Sequence, residues 1–216
     1  KRAKALLRRI IDENLNLKIG AQADLSISDP ENEELLKLAS RAGVKAVFIG
    51  FESLSNESLK TMGKSLNLSR GAGSYAERIR KIQDHGIIVV GAFMIGNDED
   101  DKNSLKRITD FVKSSGINIP QYSIATPLPG TEFFERMQKE KRLKFSNFPE
   151  DWKYFDVVHE TITHPNFLPG ELEKGLLKMY EKTSSLFPSI RATWDHLKRT
   201  RSFLGSLAVF WTRWGY

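Results

Sequence analysis

Two hydrophobic rhythms alternate along most of this 216-residue chain. Short apolar runs rich in β-branched residues occupy positions 17–25, 44–52, 87–95 and 119–125. Between them lie longer segments whose apolar side chains recur every three or four positions. The first rhythm predicts strands and the second predicts amphipathic helices. A helix is expected over 2–15, its apolar stripe led by Leu6, Leu7, Ile10 and Ile11. Asp29-Pro30 reads as a cap and first helical position, because proline has no N–H to lose there. The helix it opens carries Leu35, Leu36, Leu38, Ala39 and Ala42 and stops at Gly43. A short helix is expected over 56–62, with a polar connection after it over 63–73. Ser74 and Glu77 form a capping box for a helix aligned on Tyr75, Ile79 and Ile82. Leu105, Ile108, Phe111 and Val112 mark a further helix closed by Gly116, and Thr131 caps one containing Phe133, Phe134 and Met137.

Runs such as 44–51 and 87–90 lack polar alternation, which predicts strands buried on both faces of a parallel sheet. Strands alternating with helices predict right-handed βαβ units. A closed eight-unit barrel takes about 250 residues, so four units make only part of one. The expected fold class is therefore α/β: a fragment of a parallel (β/α) TIM-like barrel with a C-terminal helical appendage.

From about Leu143 the rhythm breaks. Phe145, Phe148, Trp152, Tyr154 and Phe155 crowd together with prolines. This predicts an extended cover or edge strand, with an aromatic substrate wall as the alternative. Helices are expected from Pro169 to about Phe187 and from Ile190 to Phe203. The expected division is thus 1–143 for the barrel part and 144–216 for a helical extension. The apolar end at 203–211 is too short to span a bilayer. It is expected to dock against the barrel or another domain; peripheral membrane contact, beside the basic Lys198-Arg-Thr-Arg201, is the alternative.

Composition changes this picture little. Apolar residues make up 40% and charged residues 28%, an ordinary globular mix. There is no cysteine, so the chain itself forms no disulfide and no thiolate metal site. That fits a reducing compartment, and a cytoplasmic location is expected. The net charge of +6 is concentrated in residues 1–9 and 188–216, leaving an acidic middle. No nucleic-acid surface over the body is expected. The start, Lys1-Arg2-Ala3-Lys4, has no initiator methionine, as in a piece of a longer protein.

His85, His159, His164 and His196 have no metal-like spacing and read as structural or surface residues. Gly91-Ala-Phe-Met-Ile-Gly96 lacks the Lys-Ser/Thr of a phosphate loop. What remains is polar groups at predicted strand ends: Gln22 and Asp24, Glu52 and Ser53, residues 96–99, and Thr126 with Pro127. In a parallel sheet these share one rim, where ligands meet β/α folds.

Several stretches together resemble the radical SAM superfamily, whose members use S-adenosylmethionine with an iron–sulfur cluster. Val47-Phe-Ile-Gly-Phe-Glu52-Ser53 resembles that family's fourth strand, and Glu57-Ser-Leu-Lys-Thr-Met-Gly-Lys64 resembles the segment directly after that strand. Gly91-Ala-Phe-Met-Ile-Gly96-Asn-Asp-Glu99 resembles the fifth-strand motif. Thr126-Pro-Leu-Pro-Gly-Thr-Glu-Phe-Phe-Glu135 resembles the sixth-strand exit. Gly63-Lys-Ser-Leu-Asn67 beside Phe48-Ile-Gly-Phe-Glu52 is most similar to the cobalamin-binding-domain type, which includes hopanoid methylases and the anaerobic cyclase of chlorophyll synthesis.

The resemblance covers residues 1–143 and implies strands three to six of the family's barrel. It implies that Glu52, helped by Ser53, meets the ribose hydroxyls of S-adenosylmethionine. Met94 and Gly96 would pack against adenine, and backbone groups around Pro127 would meet it. Lys64 would face the cofactor carboxylate, and Gln22 and Asp24 the cofactor or substrate. For the complete protein it implies a 4Fe-4S cluster, cobalamin, and reductive cleavage to a 5′-deoxyadenosyl radical. Methyl transfer or oxidative cyclisation of an unknown small molecule would come next.

The family's Cys-x3-Cys-x2-Cys loop is absent, so no catalytic or metal-ligating residue is expected in this chain. Its expected partner is a missing N-terminal part of the same protein, without which it is inactive and holds no cofactor tightly. Two other classes stay open: an ordinary TIM-type metabolite-binding enzyme, and a non-enzymatic binding module that uses the basic aromatic tail.

Overall fold

The computed structural model describes residues 2–52, 54 and 75–214. The helix expected over 56–62, the connection after it, Ser74 of the capping box, and the candidates Ser53 and Lys64 lie outside these residues.

The chain runs through α1 (Arg2–Asp12), β1 (Ile19–Ala23), α2 (Glu33–Arg41) and β2 (Val44–Glu52). It continues with α3 (Tyr75–Gln83), β3 (Ile88–Ile95), α4 (Lys102–Ser115), β4 (Ile119–Ile124) and α5 (Glu132–Lys139). Helices α6 (Glu171–Ser184), α7 (Leu186–Thr200) and α8 (Phe203–Trp214) close it. The four strands form one sheet in the order β1-β2-β3-β4, and every pair is parallel. All four strand ends therefore meet at one rim.

One face of the sheet is packed. Val47, Ile49 and Phe51 of β2 and Val89, Phe93 and Ile95 of β3 are buried with Tyr75, Ile79 and Ile82 of α3. Ile108 and Val112 of α4 and Leu172, Leu176 and Met179 of α6 join the same core. Phe51 stacks on Phe93 with ring centres 5.3 Å apart and meets Tyr75 edge-on at 5.3 Å. Burying each such side chain contributes about 1.5–3 kcal/mol. The other face is only half-buried at Phe48, Gly50, Val90, Ala92, Met94, Gln121 and Ser123. The apolar runs predict burial on both faces; among the described residues no second layer closes over this one along its upper half.

Boundaries differ from the periodicity where side chains intervene. The first strand stops at Ala23 rather than Leu25, because Asp24 turns the chain: its Oδ1 accepts the Ser26 N–H at 2.7 Å and a 3-10 turn begins at Leu25. Asp29 does not cap a helix through its side chain. It pairs with Arg78 at 2.7 Å, and α2 starts at Glu33. In α1, Leu6 points outwards while Leu7 packs on the core. The break near 187 falls at Ser185, so α7 runs from Leu186 to Thr200.

After α5 the chain forms no regular strand among the described residues. It makes one antiparallel bridge, Leu143 with Ile162, and a 3-10 turn, Glu150–Tyr154. Phe145 stacks on Tyr154 and Phe148 on Trp152. The segment lies along the edge of β4, where the Ile124 N–H donates to the Val157 carbonyl at 2.7 Å.

The apolar end is a helix, and it docks. Val209 of α8 packs on Ile88 and Ile119, the first residues of β3 and β4, with Ala46 and Val90 beside them. Arg213 is buried and donates to the carbonyls of Ile117, Asn118 and Thr183 at 2.9, 2.8 and 2.8 Å. The tail thus covers the half-open face near the strand starts and leaves the rim end free. No helix among the described residues is long and apolar enough to cross a membrane.

Candidate functional site

Strand register builds the half-open face row by row. Gln22, Phe48, Val90 and Ile119 stand side by side, and Gly50, Ala92 and Gln121 form the next row towards the rim. Met94 and Ser123 pair in the row above. Neighbouring residues in register point to the same face. Below the rim the sheet therefore offers a flat floor: two positions without bulky side chains, flanked by amides, a hydroxyl and a thioether.

Glu52 ends β2 in an unusual way. The register slips between Gly50 and Glu52, so that Glu52 rather than Phe51 stands opposite Phe93. This is a bulge, which re-aims the side chain after it. Glu52 also adopts a φ of 63°, a left-handed conformation that costs a non-glycine residue roughly 1–3 kcal/mol. Its carboxylate folds back over the floor: a Cβ built on Gly50 would come within 2.5 Å of Glu52 Oε1. Glycine at 50 makes room for that carboxylate.

The loop after β3 is braced from the far side. Asp100 is fully buried, and its Oδ2 accepts the N–H groups of Gly96 and Asn97 at 3.0 Å each. Burial pushes its carboxyl above the usual range. Arg142 grips both oxygens of Asp98, at 3.0 and 2.5 Å, and holds that carboxyl below the usual range. His164 Nε2 reaches the Asn97 carbonyl at 2.7 Å, and Asn166 donates to the carbonyls of Asp98 and Asp100. Gly96 has a φ of 87°. Its open side faces α6, where an added Cβ would stand 3.0 Å from Leu172 Cδ1.

The sheet brings Gln22, Glu52 and Met94 to the half-open face or its rim. Asp24 lies just beyond β1, exposed and engaged with Ser26. Pro127 is buried just beyond β4. Sequence reasoning did not single out Gln121 and Ser123, though their alternation with Pro120, Tyr122 and Ile124 was there to read. The Asp98–Arg142 brace left no local signal, because 44 positions separate the partners. Among the described residues no group of His, Asp or Glu is arranged to hold a metal ion. A cleft of about 340 Å³, lined in part by Arg213, His196, Asn118 and Gln83, opens near the strand starts, away from this rim.

An open four-stranded parallel sheet, packed on one face by α3, α4 and α6 and with its strand ends at one rim, is the architecture of part of a β/α barrel. No family model matches the chain. It is 33% identical over 156 residues to the bacteriochlorophyllide d C-12(1)-methyltransferase of Chlorobaculum tepidum, covering 71% of this chain and 32% of the relative. It is 27% identical over 146 residues to the hopanoid C-2 methylase of Rhodopseudomonas palustris, covering 68% and 27%. The solved radical S-adenosylmethionine methyltransferase TsrM of Kitasatospora setae, with cobalamin and a 4Fe-4S cluster bound, shares the fold. Its TM-score is 0.58 at 13% identity, over 97% of this chain and 48% of that one.

The chain is similar to these methylases and to the anaerobic magnesium-protoporphyrin IX monomethyl ester cyclase of Cereibacter sphaeroides, and it shares the fold of a radical S-adenosylmethionine methyltransferase. It spans about a third of the length of the curated relatives it matches.

Proposed function

We propose that this chain supplies the nucleoside-facing wall of an S-adenosylmethionine site in a radical SAM methyltransferase or cyclase. The observation that carries the reading is Glu52: a bulged, left-handed strand end whose carboxylate lies over the small-residue floor at Gly50. A carboxylate there accepts hydrogen bonds from a pair of ribose hydroxyls, which are stronger than neutral ones. Ala92, with Met94 above, leaves room for a flat purine beside that carboxylate, and Gln22, Gln121 and Ser123 offer polar contacts to the cofactor or substrate. Ser53, Lys64 and Pro127 complete the proposed contacts, as the family resemblance implies.

The residues fit the nucleoside and do not fit the cluster. The chain has no cysteine, so no step through a 4Fe-4S centre is assigned to it. When bound, S-adenosylmethionine supplies a 5′-deoxyadenosyl or methyl group. This chain's residues orient it and keep water from the floor. The acceptor is proposed to be a bulky, largely apolar small molecule, as the relatives' names suggest, with cobalamin as a second cofactor of the complete protein. The 216 residues alone are expected to be inactive.

The test is the complete protein reconstituted with iron, sulfide and reductant. It should form 5′-deoxyadenosine or methylated product, and Glu52→Gln should weaken S-adenosylmethionine binding roughly 10- to 100-fold, the worth of one or two charged hydrogen bonds. Unchanged affinity in Glu52→Gln would reject the ribose contact.

A further inference from the structure

Helix α8 is inverted. Its buried positions are Ser206, Val209 and Arg213, while Leu204, Leu207, Trp211 and Trp214 are 74%, 36%, 62% and 48% exposed. These four are spaced three, four and three apart, which is one helical stripe. Helix α7 repeats the pattern with Phe187, Ile190 and Trp194, at 82%, 49% and 55% exposure. A polar inner face and an apolar outer face reverse the order of a helix that ends at water.

Charge says what covers the stripe. From Leu186 to Trp214 the only acid is Asp195, against Arg191, Lys198, Arg199, Arg201 and Arg213. Arg213 is buried, Arg199 pairs with Asp84 at 3.3 Å and Arg191 lies 4.0 Å from Asp195. Lys198 lies over the Trp194 ring at 5.2 Å, and Arg201, at the turn between the helices, makes no ion pair among the described residues. Protein interfaces favour tryptophan and arginine but are depleted in charge at their centre and in lysine, so it is the cations beside the rings, without an ion pair among the described residues, that argue for an anionic surface. Tryptophan beside exposed lysine and arginine instead suits a bilayer's headgroup layer, where rings lie at the apolar boundary and cations meet lipid phosphates. Neither helix is long enough to span, so both would lie in the plane.

We propose that α7 and α8 form an interfacial anchor that seats the protein on an anionic lipid bilayer. Trp194, Trp211 and Trp214 enter the headgroup boundary, and Lys198 and Arg201 bind lipid phosphates. Because α8 docks on the first residues of β3 and β4, anchor and rim occupy opposite ends of the sheet. The inference does not depend on the cofactor reading.

The test mixes the complete protein with vesicles of phosphatidylcholine alone or with phosphatidylglycerol added. Co-sedimentation and a blue shift of tryptophan emission are expected only with the anionic lipid. Leu204→Ser with Trp211→Ser should lower partitioning at least tenfold, and Lys198→Ala or Arg201→Ala each about fivefold. All four side chains are exposed, so circular dichroism should be unchanged. Failure to bind anionic vesicles, or equal binding by the double variant, overturns the proposal. So does a dimer in sedimentation that the double variant converts to monomer, since a second copy would then cover the stripe.

Discussion

The Glu52 carboxylate occupies the space a side chain at position 50 would need, 2.5 Å from where a Cβ would stand. Gly50→Ala therefore tests the placement of that carboxylate while leaving its charge intact. The displaced atom is the end of a flexible side chain, so the melting temperature should move little. Cofactor affinity of the complete protein, measured by calorimetry, should fall about as far as in Glu52→Gln. A Gly50→Ala protein of full affinity would show that the observed pose is not the binding one.

Phe51 and Phe48 occupy opposite faces of β2, three positions apart. Phe51 is fully buried among Phe93, Tyr75 and Phe111, so Phe51→Ala should cost about 3–5 kcal/mol in urea unfolding. Phe48 is half-buried on the ligand face, and Phe48→Ala should cost clearly less. Equal losses would mean that both faces are packed.

Acid should loosen the Asp98–Arg142 and Glu160–Lys144 pairs, while Asp100, whose carboxyl is raised, works in the opposite sense. Hydrogen bonds from Arg142 lower the Asp98 carboxyl. Burial works to raise that of Glu160, but bonds from Lys144 and from the Gly170 and Leu172 N–H groups outweigh it, and the net shift is downward. A carboxyl lowered on folding stabilises fully above its unfolded value of about 4, and that stabilisation is lost as pH falls through this value towards the native one. Melting temperature should thus drop steeply below about pH 4.5. Glu160→Gln should remove about 1–3 kcal/mol at pH 7 and flatten the acid limb.

Burial lowers the pKa of His196 in α7 below the ordinary imidazole value. The native state resists protonation of this ring, while the unfolded chain takes a proton below about pH 6.5. Its contribution is therefore complete above that pH and lost as pH falls through it. The protection factors of the amides in α7 and α8, exchange rates corrected for the intrinsic rate at each pH, should fall between pH 7.5 and 5.5, and His196→Asn should remove that fall. Exchange with the same pH response in that variant would assign the effect elsewhere.

Arg213 holds α8 to the base of β4 through three carbonyls. Burial brings its pKa down to about 10, so it remains charged at neutral pH. Arg213→Met leaves those acceptors without their donor and should cost about 1–3 kcal/mol. Hydrogen exchange should place the loss in α8 and leave the Phe51 core protected.

The order of strands and helices and the parallel sheet were legible in periodicity and capping residues, because these act within one turn or one strand. Thr131 caps its helix through the Phe134 N–H, and Gly116 ends α4, as local chemistry requires. Glu52 was legible as an acid at a strand end. Its left-handed turn and its lean over Gly50 were not, because a bulge is set by register against β3. Gln121 and Ser123 became site residues only once the sheet showed which of its faces stays open. Asp98 with Arg142, and Arg213 with the Ile117 and Asn118 carbonyls, are 44, 96 and 95 positions apart, beyond the reach of any local pattern. Tertiary structure decided the inverted tail as well: the apolar end of the chain could be read as a docking helix or an interfacial one, and packing turned Val209 inward and Trp211 outward.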